Sequence, residues 1–321
     1  MEKTFLLPFV SFAKTLASFV VKKINNKVHK VFFLFLFILI RFSLIPSFAQ
    51  LSKADSLTSR LTQSIHDTTR INTLNALGWQ LMYNNPDTAI ILGNQALALA
   101  EALPSPSSKG EGPGVRLEFI ANSISNLAAY YYLKADYPKA LDYYLKALKL
   151  NEEMLSEAKN LFEKQSAQKG IATRLSNIGN IYSAQADYPK ALDYYFKALK
   201  MAEELENKKG IAANLGNIGN VYNSQADYPK VHQVEPAYRT GRRDSLFNLA
   251  LDYYFRALKI NEELGNKNGI AIRLGNIGIV YKAQADLSRQ RVDTAQAGRD
   301  YPKALDYYLK ALKINEELGN K

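Results

Sequence analysis

The chain has 321 residues, of which 47% are hydrophobic and 22% charged, as in a protein that buries a core and unlike a disordered or collagen-like chain. It contains no cysteine, which excludes disulfides, cysteine-ligated metals and thiol catalysis. Its histidines, His29, His66 and His232, lie far apart in the sequence and form no spacing that predicts a metal site. We therefore expect no metal and no cofactor.

The formal net charge of +11 is concentrated at the N-terminus. Residues 1–50 carry seven Lys or Arg and one Glu, a net charge of +6, which leaves +5 for all later residues. A nucleic-acid-binding surface needs clustered cations, and the rest of the chain has none. The charge distribution therefore argues against a nucleic-acid partner.

The first 49 residues have the three parts of a secretory signal peptide. Lysines precede an unbroken apolar run from Val31 to Ile40, and the small-residue site Ser47-Phe48-Ala49 follows it. The apolar run is too short for a spanning helix, which needs about 20 residues. We expect cleavage near Ala49 and a periplasmic or secreted protein; the alternative is an uncleaved segment that anchors the chain in the inner membrane.

Internal repeats organise the remaining sequence. The string DYPKALDYY occurs at 136–144, 187–195 and 300–308, and it appears in broken form at 227–230 and 250–254. The segments LSNIGNIYSAQADYPK and LGNIGNVYNSQADYPK begin 40 residues apart, at Leu175 and Leu215. Repetition of this kind predicts a stack of similar structural units.

Each repeat predicts two helices. Leu215, Ile218, Gly219 and Tyr222 follow the i, i+3, i+4, i+7 spacing of one helix face, which predicts a first helix, A. The Asp-Tyr-Pro that follows predicts the start of a second helix, B, because Asp caps helices and Pro fits their first turn. We interpret the small residues as close helix crossings, and the doubled tyrosines of helix B as packing.

This pattern resembles the tetratricopeptide repeat, in which helix A carries large, large, small and aromatic residues, and helix B carries alanine and aromatic residues. The four clear copies begin at Ile124, Leu175, Leu215 and Leu274. An earlier, divergent copy contains Leu74, Leu77, Gly78, Leu81, Pro86 and Ala89. The period of 40 is longer than usual and resembles repeats of the kinesin-light-chain type. The resemblance implies an all-α fold, a right-handed superhelical solenoid of about five antiparallel helix pairs over residues 70–321, after a leading helix at 50–69.

Four segments interrupt the repeats. Residues 104–116 are rich in Pro, Gly and Ser and predict an exposed loop, whereas residues 154–164 keep helix-forming composition and predict an extension of helix B. Residues 231–249 and 287–300 fall between helix A and helix B in consecutive repeats. We expect both to be tolerated in the turn and removable without loss of stability.

The sequence predicts a protein without catalytic activity. It contains no phosphate-binding, dinucleotide-binding, metalloprotease or serine-hydrolase motif in a matching context, and its recurring Glu pairs fit a solvated helix face. The resemblance implies a scaffold that binds a protein or peptide in a concave groove, and the predicted signal peptide indicates that this scaffold is exported. The alternative is the sensory N-terminal part of a truncated bacterial signal-transduction protein, of the histidine kinase or transcriptional regulator type. The sequence does not predict the oligomeric state.

Recurring asparagines are the candidate groove residues. Asn126, Asn177, Asn217 and Asn276 lie two positions before the small residue of helix A, and Asn180 and Asn220 follow it directly. Asparagine is a poor helix former, so its recurrence needs a reason. One hypothesis is that these amides bind the backbone of a peptide; the other is that they bond one another as a ladder that fixes repeat register. Their neighbours are Ser or Gly, so the carboxylate clamp of some family members is absent and internal peptide segments are expected.

Overall fold

The computed structural model describes residues 56–59, 61, 66–104, 114–227 and 236–319. The chain divides into two units, residues 1–63 and 64–321. In the first unit the described residues are helical. The predicted signal peptide lies outside the described residues, as do residues 105–113 of the predicted loop. Among the helices described, none combines the length and the apolar content that crossing a membrane requires.

The second unit contains ten described helices in five A/B pairs. They are α1 (Asp67–Leu81), α2 (Pro86–Ala102), α3 (Gly114–Leu133), α4 (Tyr137–Glu157), α5 (Leu161–Ala184), α6 (Tyr188–Glu204), α7 (Lys208–Asp227), α8 (Pro236–Glu263), α9 (Lys267–Gln290) and α10 (Thr294–Glu317). The odd-numbered helices are A helices and the even-numbered helices are B helices. No strand occurs in the part of the chain described, so the all-α prediction is confirmed.

The helices stack in chain order. Each helix packs on the one before it and the one after it, which is the contact pattern of a solenoid. In addition, the backbone of every A helix approaches that of the next A helix. Successive B helices meet instead through long side chains, such as the ring of Phe196 on α6 against Tyr253 on α8. The A helices therefore lie on the side of the stack where neighbouring repeats are closest.

The Asp-Tyr-Pro sequence starts helix B as predicted in two repeats. Asp136 and Asp187 accept a hydrogen bond from the third backbone N–H of α4 and α6, and the proline occupies the first turn. In α10 the same sequence lies inside the helix, because the preceding segment is helical and Asp293 is the cap. Pro302 is consequently an internal proline, and the side chain of Asp300 is buried.

In the third, fourth and fifth repeats, a glycine of helix A contacts a tyrosine of helix B where the two helices cross. A Cβ on Gly179 would come within 2.7 Å of the Tyr195 ring, and a Cβ on Gly219 would come equally close to Tyr254. Both tyrosines are 2% exposed. The absence of a side chain therefore allows the ring to lie on the helix backbone, as the sequence interpretation expected.

The other tyrosine of each doublet stacks on a tyrosine of helix A. Tyr143 lies 5.5 Å from Tyr131, and Tyr194 lies 5.4 Å from Tyr182, with the rings nearly parallel. The ammonium groups of Lys139 and Lys190 approach the faces of Tyr131 and Tyr182 at 5.1 Å. Equivalent stacks occur at Tyr222–Tyr253 and Tyr281–Tyr307. These partly buried rings also serve packing.

The two late insertions differ from the expectation of dispensable turn residues. Residues 236–249 are the first part of α8, and residues 287–290 are the last turn of α9. Phe247 is fully buried and Leu287 is 4% exposed, and both belong to the core cluster around Tyr254. Residues 294–300 are the first part of α10, so the insertions lengthen α8, α9 and α10 and bury Phe247 and Leu287 in the core.

The earlier insertion, 154–164, is helical on both sides of a short break. Helix α4 continues to Glu157, and α5 begins at Leu161, where Asn160 caps it by accepting a hydrogen bond from the N–H of Glu163 at 2.9 Å. The segment thus extends helix B as predicted, and it also supplies the first turn of the next helix A. Residues 67–69, expected in the leading helix, belong to α1.

Candidate functional site

A row of partly or fully exposed side chains follows each A helix on the side away from the B helices. We call this set the A-helix stripe. It consists of Asn72, Ala76, Trp79, Tyr83, Asn122, Asn126, Ala129, Leu133, Thr173, Asn177, Asn180, Ala184, Ala213, Asn217, Asn220, Ser224, Ile272, Asn276, Ile279 and Ala283. None of these described side chains is charged, although 22% of the chain's residues are. The exposed Glu118, Lys169 and Lys209 lie one turn before the stripe, on the same face of their helices.

The A-helix stripe changes in character along the stack. At the first repeat it presents Trp79, which is 46% exposed, and Tyr83. At the last it presents Ile272 and Ile279, the latter also 46% exposed. Each of the three middle repeats carries two asparagines, whereas the first and the last carry one each. An uncharged surface with apolar ends and amides between them suits an uncharged, extended ligand.

The predicted asparagines form hydrogen bonds between successive A helices. The amide of Asn217 donates to Oδ1 of Asn180 at 3.4 Å, and the amide of Asn276 donates to Oδ1 of Asn220 at 3.0 Å. In both bonds, the acceptor directly follows the small residue of one helix A. The donor lies two positions before the small residue of the next helix A. They therefore couple neighbouring repeats in one fixed register.

The first repeat makes the same connection with a different residue. The indole N–H of Trp79 donates to Oδ1 of Asn126 at 2.8 Å. Trp79 follows Gly78, so it holds the position that Asn180 and Asn220 hold in later repeats. The connection is thus a property of the two helix positions, which accept more than one residue type.

Buried tyrosines of helix B also form hydrogen bonds with the asparagine ladder. Tyr195 donates its hydroxyl to Oδ1 of Asn180 at 2.7 Å, and Tyr254 donates to Oδ1 of Asn220 at 2.8 Å. Burial raises the pKa of both tyrosines, because the phenolate would be poorly solvated, so both hydroxyls stay protonated donors at neutral pH. Each of these two asparagine oxygens therefore accepts two hydrogen bonds.

The ladder leaves part of every amide unused. The amide nitrogens of Asn180 and Asn220 and the amide oxygens of Asn217 and Asn276 make no hydrogen bond to the described residues. Asn177 makes none at all, because Ala129 occupies the facing position in the preceding repeat. The two hypotheses for the asparagines are therefore compatible: one half of each amide fixes register, and the other half is free to bind.

Two arginines at the helix packing surface were not identified from the sequence. Arg174 precedes Leu175 and is 7% exposed, and Arg273 precedes Leu274 and is partly buried. Arg174 donates to Oδ1 of Asn122 at 2.9 Å, whereas the Arg273 guanidinium lies against Gly216 and over the Tyr254 ring. The available signal was a charged residue at a position that otherwise carries Thr, Ser or Asn.

The described residues contain no group of three or more side chains that would ligate a metal ion. The fold and the stripe together define a helical-repeat scaffold with a neutral surface along one side. A tetratricopeptide-repeat family model matches residues 170–234, and a second one matches residues 120–160. These matches identify residues 120–160 and 170–234 as tetratricopeptide repeats, in agreement with the repeat architecture of the described chain. Proteins with such repeats are protein–protein interaction scaffolds, in general without catalytic activity.

Solved structures share this fold. BtubC (BKLC) from P. vanneervenii is 19% identical, with a TM-score of 0.52 over 85% of this chain and 91% of that one. The apo form of RapI is 15% identical, with a TM-score of 0.50 over 90% of this chain and all of that one. At these identities the likeness concerns the fold alone. No curated protein matches the chain.

Proposed function

We propose that the protein is a non-catalytic scaffold that binds an extended, uncharged segment of a protein along the A-helix stripe. The observation that carries this proposal is the absence of charge from the A-helix stripe. A charged groove would repel or select charged termini, whereas this surface imposes no such requirement.

The unused halves of the asparagine amides support an extended ligand. Free donors at Asn180 and Asn220 alternate along the stack with free acceptors at Asn217 and Asn276. An extended backbone presents donors and acceptors in alternation and can pair with such a row. Trp79 and Ile279, at opposite ends, provide apolar contacts for side chains of the ligand.

The proposal is tested by selecting a phage-displayed library of random peptides against the protein. We expect enriched sequences with few charged residues and with aromatic or branched aliphatic side chains. They should bind as synthetic peptides whether the C-terminus is free or amidated. Enrichment of acidic or basic peptides, or no enrichment, would overturn the proposal.

The site itself is tested with the double substitution Asn177→Ala and Asn217→Ala. Loss of about two hydrogen bonds should lower the affinity for the selected peptides about tenfold, while the helical content stays unchanged. Asn315→Ala is the matched control, because Asn315 lies on a B helix, outside the A-helix stripe. Equal affinity for the double variant and the control would place the peptide elsewhere on the molecule.

We also propose that the protein works outside the cytoplasm after cleavage near Ala49. The support is the sequence pattern: a lysine-rich segment, an apolar run from Val31 to Ile40 and a small-residue site. N-terminal sequencing of the exported protein tests this. A first residue at or next to Gln50 is expected, and an intact N-terminal segment would contradict cleavage.

A further inference from the structure

A polar cavity of about 240 Å³ lies among α3, α4 and α5, where the second repeat meets the third. Its lining includes Glu118, Asn122, Asn151, Lys169, Thr173 and Arg174. A drug-sized ligand needs at least about 300 Å³, so this cavity suits a smaller molecule.

Two of the lining side chains are buried without full hydrogen bonding. Arg174 is 7% exposed and Asn151 is 4% exposed. Nε of Arg174 and Oδ1 of Asn151 have no hydrogen-bond partner among the described residues. A buried polar atom without a partner destabilises the fold, more so when the group is charged, and here one donor and one acceptor share this cost at a single cavity.

The cavity originates in the insertion at 154–164. Asn261 holds the position of Asn151 two repeats later, and there Oδ1 accepts a hydrogen bond from Asn266 at 2.7 Å. Gly269 follows Asn261 by eight positions, whereas Gly170 follows Asn151 by 19. Because the connection after Asn151 is longer, no asparagine takes the place that Asn266 holds beside Asn261. Oδ1 of Asn151 therefore has no partner among the described residues.

The charges at the cavity have both signs. The Arg174 guanidinium and the Lys169 ammonium are positive, and the Glu118 carboxylate is negative. Burial lowers the pKa of Arg174 because the charged form loses hydration, and the nearby Tyr144 and Glu118 partly offset this effect. The cavity therefore favours a ligand that carries both a carboxylate and an amine.

We propose that this cavity binds a small zwitterion of the free amino acid class. The carboxylate accepts hydrogen bonds from Arg174 and attracts Lys169, because the planar guanidinium matches carboxylate geometry. The ammonium donates to Oδ1 of Asn151 and faces the Glu118 carboxylate. A free amino acid carries its ammonium and its carboxylate on the same carbon atom. A peptide terminus carries only one of these two groups, so the cavity favours the free amino acid.

The test is titration of the protein with each of the common free amino acids, followed by thermal unfolding and calorimetry. We expect at least one to bind and to raise the melting temperature with concentration. Its N-acetyl derivative lacks the ammonium and its carboxamide lacks the carboxylate, so each should bind about tenfold more weakly or worse. Binding by none of the amino acids, or undiminished binding of either derivative, would overturn the proposal.

Variants locate the binding. Lys169→Gln should lower the affinity for the amino acid several-fold, because the cavity loses an exposed ammonium group. Lys209→Gln is the matched control: it also precedes a glycine of helix A, but Ala202 and Asn214 replace Asn151 and Arg174 in that repeat. Arg174→Met should abolish binding, and Lys169→Gln remains informative if that variant does not fold. Equal affinities for Lys169→Gln and Lys209→Gln would overturn the assignment.

Discussion

Arg291 and Asp244 join the two late insertions through a two-pronged ion pair. The two terminal guanidinium nitrogens of Arg291 donate to the two carboxylate oxygens of Asp244, at 2.8 and 3.2 Å. Asp244 lies in the N-terminal part of α8, and Arg291 follows the end of α9. Beside this pair, Phe247 and Leu287 belong to one core cluster. The insertions thus form a joint extension of the fourth and fifth repeats.

This packing predicts that the insertions are needed for stability. Phe247→Ala should lower the free energy of unfolding by about 3–5 kcal/mol, because it empties a fully buried aromatic site. Urea unfolding followed by circular dichroism measures the change. Ser245→Ala, on the same helix and exposed, should change it by less than about 0.5 kcal/mol. A loss below about 1 kcal/mol for Phe247→Ala would mean that the segment is dispensable, as the sequence suggested.

The regular part of the fold is readable from the sequence because it repeats. The spacing of Leu215, Ile218 and Gly219 predicts α7. The tyrosine that packs on the glycine stands out in the sequence because it recurs in each helix B of the clear repeats. The insertions interrupt the 40-residue period, so the same reasoning classified them as turns. A local signal existed: Phe247 precedes Ala250 by three positions and Tyr254 by seven, which continues the apolar face of helix B.

The sequence singles out the asparagines of the candidate site and gives bonding among them as one of two hypotheses, but it does not predict which of them bond. The asparagines stand out because they recur, but Asn180 pairs with Asn217 only through the angle between successive repeats, which no single repeat encodes. The cavity at Arg174 depends on an insertion that occurs once. Sequence repetition cannot report a feature that is absent from the other copies.

A pair of glycine substitutions in two A helices should have opposite effects. A Cβ on Gly219 would lie 2.7 Å from the Tyr254 ring, so Gly219→Ala should lower the unfolding free energy by about 1–3 kcal/mol. A Cβ on Gly275 meets no atom within 4 Å, so Gly275→Ala should raise it by up to about 1 kcal/mol through helix propensity. Chemical unfolding of both variants compares them directly. Equal effects would show that the helix crossing does not depend on the glycine.

The turn after α9 should improve with a glycine. Val292 has φ of +63° and is 81% exposed, so a β-branched side chain occupies a left-handed position without burying surface. Val292→Gly should raise the unfolding free energy by about 1 kcal/mol, since relief of strain exceeds the added backbone entropy. Gly265 has φ of +60° in the turn that follows helix α8, and Gly265→Ala should cost about as much. Destabilisation by Val292→Gly would contradict this account.

The register ladder predicts a stability difference between two asparagines that look equivalent in the sequence. Asn276 donates to Asn220 at 3.0 Å, whereas Asn177 faces Ala129 and has no partner among the described residues. Replacement by alanine adds up to about 0.7 kcal/mol of helix propensity at either site. Asn276→Ala also loses a hydrogen bond worth about 0.5–1.5 kcal/mol. The two unfolding free energies should therefore differ by about 1 kcal/mol, with Asn177→Ala the more stable variant.

Restoring a partner completes this test. Ala129→Asn places an amide opposite Asn177, at the position that Asn180 and Asn220 hold in the next two repeats. In a cycle with Asn177→Ala, the coupling between positions 129 and 177 should be about 0.5–1.5 kcal/mol in favour of the Asn–Asn pair. Urea unfolding of the four proteins measures it. Zero coupling, together with equal stabilities for Asn177→Ala and Asn276→Ala, would show that the asparagines do not fix the register and would leave ligand binding as the reason for their recurrence.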